Sequence, residues 1–247
     1  MTRLLWTWLL LLAALQPAVA ADHLRFGQPS REDIVLEYKG FSLGYREADE
    51  QAAWVGYCIT STELNTAKTK RSEDFRQDPL IPTGSATLED YKGSGFDRGH
   101  LAPAADMAWS EQSMHESFLM SNMSPQVQAF NRGVWSRLED QVRDFARQRG
   151  KVWVVTGPVL DQPLGSIGRQ QVSVPRAYYK VLYSPKPTPS MLGFLLPNQG
   201  SSEPLESFVV SVDSVEAVTG LNFFSKLPDK QERRLERNRD PAGWTLP

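Results

Sequence analysis

The chain has one cysteine in 247 residues, Cys58. No intramolecular disulfide can form, so the fold must be held by its core. No cysteine pair and no His-Glu-x-x-His stretch is present, which argues against a zinc site of the structural or protease type. Cys58 lies between Tyr57 and Ile59 with no histidine near it in sequence, and reads as a buried thiol. Histidine is scarce too: His23, His100 and His115 are the full set. There is no internal repeat and no long low-complexity tract. Excess positive charge is also lacking, because 27 basic residues face 29 acidic ones. Coating of nucleic acid by bulk charge is therefore excluded, and any polyanion site must be a local basic surface.

What is present is ordinary for a globular protein: 40% hydrophobic and 23% charged residues. The length suits one substantial domain. Residues 1–20 stand apart. Thr2-Arg3 is followed by an apolar stretch from Leu4 to Leu15, a break at Gln16-Pro17 and a small-x-small end at Ala18-Val19-Ala20. This is the layout of a secretory leader, and the stretch is short of the roughly 20 residues that span a bilayer. The expected organisation is a signal peptide over 1–20 and a single domain over 21–247. Export to the periplasm or beyond follows, without stable membrane association after cleavage. The alternative is an uncleaved N-terminal anchor. Cleavage removes Arg3 and no acidic residue, so the mature chain is slightly more negative.

Ile34 to Tyr45 reads as a hairpin turning at Gly40, and Ala53 to Thr60 as an aromatic, β-branched strand. Ser110 is placed to cap a helix running to about Met120. Trp135, Leu138, Val142, Phe145 and Ala146 keep a 3.6-residue period up to Gly150, which predicts a helix from near Asn131. Val152 to Thr156 is nearly all apolar, as in a strand covered on both faces. The charged tail from Lys226 to Arg239 reads as a solvated helix or arm, and His23 as part of a disordered terminus. Strands and helices alternate irregularly. The expected fold class is α+β, with a mainly antiparallel central sheet flanked by helices.

The chemistry concentrates in Phe96-Asp97-Arg98-Gly99-His100 and in the downstream amides Asn122 and Asn131. A histidine can take a proton from water near neutral pH, and an asparagine oxygen can hold a hard cation that keeps most of its waters. Together they suggest metal-assisted cleavage of a phosphodiester. Each residue also has a plain reading. His100 alone would be a structural histidine, with Asp97 and Arg98 beside it as a charge pair. Asn131 would be a helix N-cap. Glu139 and Arg143 would form an i,i+4 salt bridge, worth about 0.3–0.5 kcal/mol. On a regular helix Glu139 lies about 12 Å along the axis from Asn131, too far to share the inner shell of one ion.

These residues resemble those of the DNA/RNA non-specific endonucleases, an endonuclease G-like family in the ββα-metal superfamily. Asp97-Arg98-Gly99-His100 is similar to the family's signature block, and Asn122, Pro125-Gln126, Asn131, Trp135 and Glu139 to its metal-binding block. Val154 to Val159, Pro175, Tyr179-Lys180, Leu196-Pro197-Asn198 and the run Val215-Glu216 with Thr219-Gly220-Leu221 extend the match over nearly all of residues 21–247. The resemblance implies His100 as general base and Asn131 as the protein ligand of Mg²⁺, with Mn²⁺ as a substitute. It implies Glu139 holding the hydrated ion through water and Arg71 contacting the phosphate. Arg98, Arg143, Asn122 and Asp97 are implied as supporting residues. Both DNA and RNA are implied as substrates, with 5′-phosphate products. A homodimer and a protein inhibitor stay open. Two other classes remain open as well: a silent nucleic-acid-binding protein on the same fold, and a phosphodiesterase of small or lipid-linked esters.

Overall fold

The computed structural model describes residues 22–240 and 243–246. The expected leader lies outside the described residues. Among the described residues no helix is long and apolar enough to cross a membrane.

The described chain enters through a 3-10 turn, Asp22–Leu24. His23 is therefore not disordered. The Trp153 indole donates to the Asp22 carbonyl at 2.9 Å and ties this turn to the sheet. Strands β1 (Ile34–Glu37) and β2 (Phe41–Arg46) form the expected hairpin, with Ile34 opposite Tyr45. Strand β3 (Gln51–Thr60) runs into helix α1 (Ser61–Thr66) through a capping box between Thr60 and Glu63. Thr87 and Asp90 repeat that device at helix α2 (Leu88–Tyr91). Strand β4 (Phe96–His100) follows, then helix α3 (Glu111–Ser117), whose N-cap is Ser110 as expected. The helix stops short of Met120 because Asn122 Nδ2 donates to the Ser117 carbonyl at 2.8 Å.

Strand β5 (Met123–Val127) pairs antiparallel with β4, His100 opposite Met123 and Phe96 opposite Val127. One π-helical turn, Phe130–Trp135, leads into helix α4 (Ser136–Arg149), which Gly150 ends at φ 80°. This strand-strand-helix unit is the ββα motif. The remaining strands are β6 (Lys151–Pro158), β7 (Ser166–Ile167), β8 (Val172–Ser173), β9 (Ala177–Ser184), β10 (Ser190–Pro197) and β11 (Val209–Val210). Helices α5 (Val212–Thr219) and α6 (Asp229–Glu236) close the described chain.

The main sheet has the order β1-β2-β3-β6-β9-β10-β11, antiparallel throughout. The α+β reading holds. Tyr57, Val154, Tyr178 and Leu182 cluster with Leu138, Val142 and Phe145 of α4 on one face. Trp54, Trp153, Val155 and Tyr179 cluster with Val212 and Val215 of α5 and Leu235 of α6 on the other. Burial on both faces explains why β6 reads as a continuous apolar run. The tail is not wholly solvated, since α6 buries Leu235 and Glu236.

Candidate active site

His100 is the last residue of β4, and its ring is packed by aromatics. Phe118 meets it edge-on at 4.8 Å, and Phe75 lies at 5.7 Å. The same two rings carry guanidinium groups: Arg71 sits 4.9 Å over Phe118 and Arg98 4.2 Å over Phe75. Nε2 of His100 is buried with no hydrogen-bond partner among the described residues. Burial first, then the charges of Arg71 and Arg98, pull its pKa from 6.5 to about 3. The ring is uncharged at neutral pH and can accept a proton. Arg71 itself is half-exposed, with Nε donating to Glu73 at 3.2 Å.

Asp97 and Arg98 do not form the charge pair that their adjacency suggests. Neighbours on a strand point to opposite faces. Arg98 lies on Phe75, while Asp97 accepts both arms of Arg132 at 2.8 Å each. Desolvation works against the Asp97 carboxylate. Hydrogen bonds from Arg132 and Asn131 overcome it and hold the pKa below the usual range.

Gly99 answers to close packing. A Cβ there would lie 2.1 Å from Cδ of Gln126, whose side chain is fully buried. Gly99→Ala is expected to cost about 1–3 kcal/mol through this overlap. Urea unfolding checks it, and an unchanged midpoint would mean that Gln126 gives way freely.

Asn131 is not a helix cap. It is the second residue of the π-helical turn, and its Nδ2 donates to Asp97 Oδ2 at 3.0 Å. That bond fixes the amide orientation and leaves the carbonyl oxygen for a cation. Gly133, at φ −114° and ψ −108°, departs from helical angles between Asn131 and Glu139. The straight-helix separation of these two residues therefore does not apply. Wide turns of this kind recur at functional sites.

The i,i+4 salt bridge from Glu139 to Arg143 does not form. Arg143 Nη1 donates to the buried Asp106 at 2.8 Å, and Nη2 to Asp140. Glu139 forms no side-chain hydrogen bond among the described residues; its pKa is raised by burial and by Asp106, against Lys180 and Arg143. Lys180 is the residue that reading the sequence underweighted. It is fully buried, 4.5 Å over the Trp135 ring, and donates to Thr156 Oγ1 at 3.3 Å. Burial lowers its pKa, and Glu139 and Asp106 oppose that fall. Its signal was a lysine on the core face of an apolar strand, between Tyr178 and Leu182. The buried Asp106 and Lys180, with the half-buried Glu139 and Arg143 of α4, form a charge-balanced group.

Asn122 acts on the backbone. Its Oδ1 accepts from Ala102 N at 2.9 Å, and Nδ2 donates to the carbonyls of Ala102 and Ser117. It pins the segment that leaves His100. His115 lies on α3 and meets Asp74 at 2.8 Å.

The lowered pKa of His100 has a consequence for stability. Between pH 6.5 and about 3 the unfolded chain binds a proton that the folded ring refuses. This residue's share of stability is complete above pH 6.5 and is lost as pH falls through that window. A His100→Asn variant is expected to lose less stability on acidification than the parent. Parallel curves of unfolding free energy against pH would contradict it.

The donor set of Asn131 and Glu139 is all oxygen, which suits a hard divalent cation such as Mg²⁺.

The sequence model of the family described as DNA/RNA non-specific endonuclease matches residues 20–230. Nuclease C1 of Cunninghamella echinulata var. echinulata is 37% identical over 221 residues, covering 83% of this chain and 88% of that one. The mitochondrial nuclease EXOG of Danio rerio is 36% identical over 84% of this chain and 65% of its own. A solved chain of the EndoG/EndoGI complex, described as showing the mechanism of EndoG inhibition, superposes with a TM-score of 0.79. It is 34% identical and covers 85% of this chain and 93% of that one. By the extent of the family match and by these relatives, the chain belongs to the DNA/RNA non-specific endonucleases, hydrolases of a metal-dependent nuclease type.

Proposed function

We propose that the chain hydrolyses phosphodiester bonds of both DNA and RNA without sequence preference, leaving 5′-phosphate ends. The observation that carries this reading is the uncharged His100 ring set between Arg71 and Arg98 on a shared aromatic base. Nε2 is sealed in the core, so Nδ1 is the nitrogen that takes the proton of the attacking water. Arg71 is half-exposed, held by Glu73 and by the Phe118 ring face, so its fork can turn to a phosphate and offset the charge that grows there. Arg98 stays stacked and supports the same field. Asn131 and Glu139 would hold Mg²⁺, or Mn²⁺ in its place, the first directly and the second through water. When bound, the ion offsets charge on the phosphoryl and leaving oxygens. Asp97 orients Asn131, Arg143 braces α4, and Asn122 holds the backbone beyond His100.

Backbone contacts carry no base information, which accords with action on both polymers. The basic stretches Lys68 to Arg76 and Arg132 to Lys151 supply a local field despite the negative total. Residues 21–247 act as one domain, exported behind the leader at 1–20. Digestion of supercoiled plasmid and total RNA with Mg²⁺ and with EDTA tests the reading. Loss of both polymers with Mg²⁺ alone is expected. Intact polymers from a folded sample, under Mg²⁺ and Mn²⁺ alike, would overturn it.

A further inference from the structure

The sheet face opposite His100 carries a second group of oxygen ligands. Asp213 and Glu216 lie one turn apart on α5, and Glu236 ends α6. One carboxylate oxygen from each lies within 4.8 Å of the others. Glu236 is only 6% exposed. It accepts no hydrogen bond and forms no ion pair with the described residues. It also stands at the C-terminal end of its helix, where the macrodipole is unfavourable to an anion.

The surroundings deepen the charge excess. Glu216 Oε1 accepts from Phe223 N at 2.8 Å, leaving its second oxygen. Oε1 of Glu232, on the same side of α6, is buried without a partner. Arg233 opposes this excess at Glu236, but its guanidinium lies 3.8 Å from Asp229. Burial first, then Glu216, Glu232 and Asp213, push the Glu236 carboxyl up to about 7. A carboxylate crowded by other anions this way favours a proton or a cation.

We propose that Asp213, Glu216 and Glu236 form a structural Ca²⁺ site that clamps α6 onto α5. Oxygens on opposite sides of a Ca²⁺ ion, each bonded at about 2.4 Å, stand at most about 4.8 Å apart, so the cluster is of the right size. Three carboxylates from two elements suit the large, flexible shell of Ca²⁺ better than the strict octahedron of Mg²⁺, which keeps its waters. Zinc is disfavoured by the lack of nitrogen and sulfur donors. The clamp fixes Leu235 against Val212 and Val215, in the layer that covers the outer face of the sheet. It is separated from Asn131 by the sheet and does not depend on the nuclease reading.

The test uses the protein carrying Asn131→Ala, so that cation binding near His100 is suppressed. EDTA-stripped protein is titrated calorimetrically with CaCl₂, and its Tm is followed. One ion per chain is expected. At Ca²⁺ a hundredfold above Kd, Tm should rise by about 5–10 °C. Adding Glu236→Gln, or Glu216→Gln, should abolish both signals while the far-UV circular dichroism is unchanged. Absence of binding, or binding that survives Glu236→Gln, would overturn the site. So would a Glu236→Gln protein that is more stable than its parent in EDTA while Ca²⁺ has no effect on either. That result would mean the carboxyls share a proton.

Discussion

Replacing His100 by Ala is expected to lower the rate of plasmid and RNA cleavage by about two to four decades, the usual worth of a general base. The physical ground is the state of the ring. Burial and two guanidinium charges hold it neutral, with its pKa near about 3. A base must be unprotonated when water is attacked, and here that condition is met throughout the neutral range. The packing of Phe118 and Phe75 against the ring means that Ala also leaves a void. Loss of fold must therefore be separated from loss of chemistry. His100→Asn keeps a polar side chain in the same place and should lose the rate to a similar degree, with its urea unfolding midpoint at pH 7 nearer the parent's than that of His100→Ala. Full activity in either variant, measured at pH 7 with Mg²⁺, would remove His100 from the mechanism.

Lys180→Met should cost about 3–5 kcal/mol of stability at neutral pH. Removing the buried ammonium leaves Asp106 and Glu139 facing Arg143 alone, and one carboxyl must then take a proton or stay unpaired. For a chain of this length, that cost corresponds to a fall in Tm on the order of 10 °C. The second variant decides the cause. If Lys180 and Glu139 are coupled, Lys180→Met with Glu139→Gln should be more stable than Lys180→Met alone, because the uncompensated anion is gone. Strict additivity of the two substitutions in urea unfolding would show that Lys180 serves only as packing under Trp135. Nuclease activity should fall in Lys180→Met with a raised requirement for Mg²⁺, since a protonated Glu139 holds a hydrated cation poorly.

Part of this protein was legible without coordinates because it depends on local order along the chain. The hairpin at Gly40, the Ser110 cap, the helical period up to Gly150 and the unbroken apolar run of β6 all come from neighbours within a few residues. The helix stop at Ser117 was not legible, because the competing donor is Asn122 in the next segment. Nor was the order at His23, which comes from a tryptophan more than a hundred residues away in the chain.

The same division runs through the candidate site. The placing of His100 at a strand end and of Asn131 near a helix start was legible, since these are short-range features. Partners were a different matter. Sequence adjacency paired Asp97 with Arg98 and Glu139 with Arg143, and in both cases a residue from another element won. Asp97 took Arg132 and Asn131 across the ββα unit, and Arg143 took Asp106. Charges seek the best-oriented and least hydrated partner, and burial depends on how layers stack.

By itself, then, the sequence determined where the main strands and helices form, because propensity, capping and period act over a few residues. Only the tertiary structure decided that His100 is neutral, that Lys180 faces the core beside Glu139, and that three acids from α5 and α6 meet on the far side of the sheet. Those outcomes rest on desolvation and on contacts between distant segments, and neither quantity exists until the layers have closed.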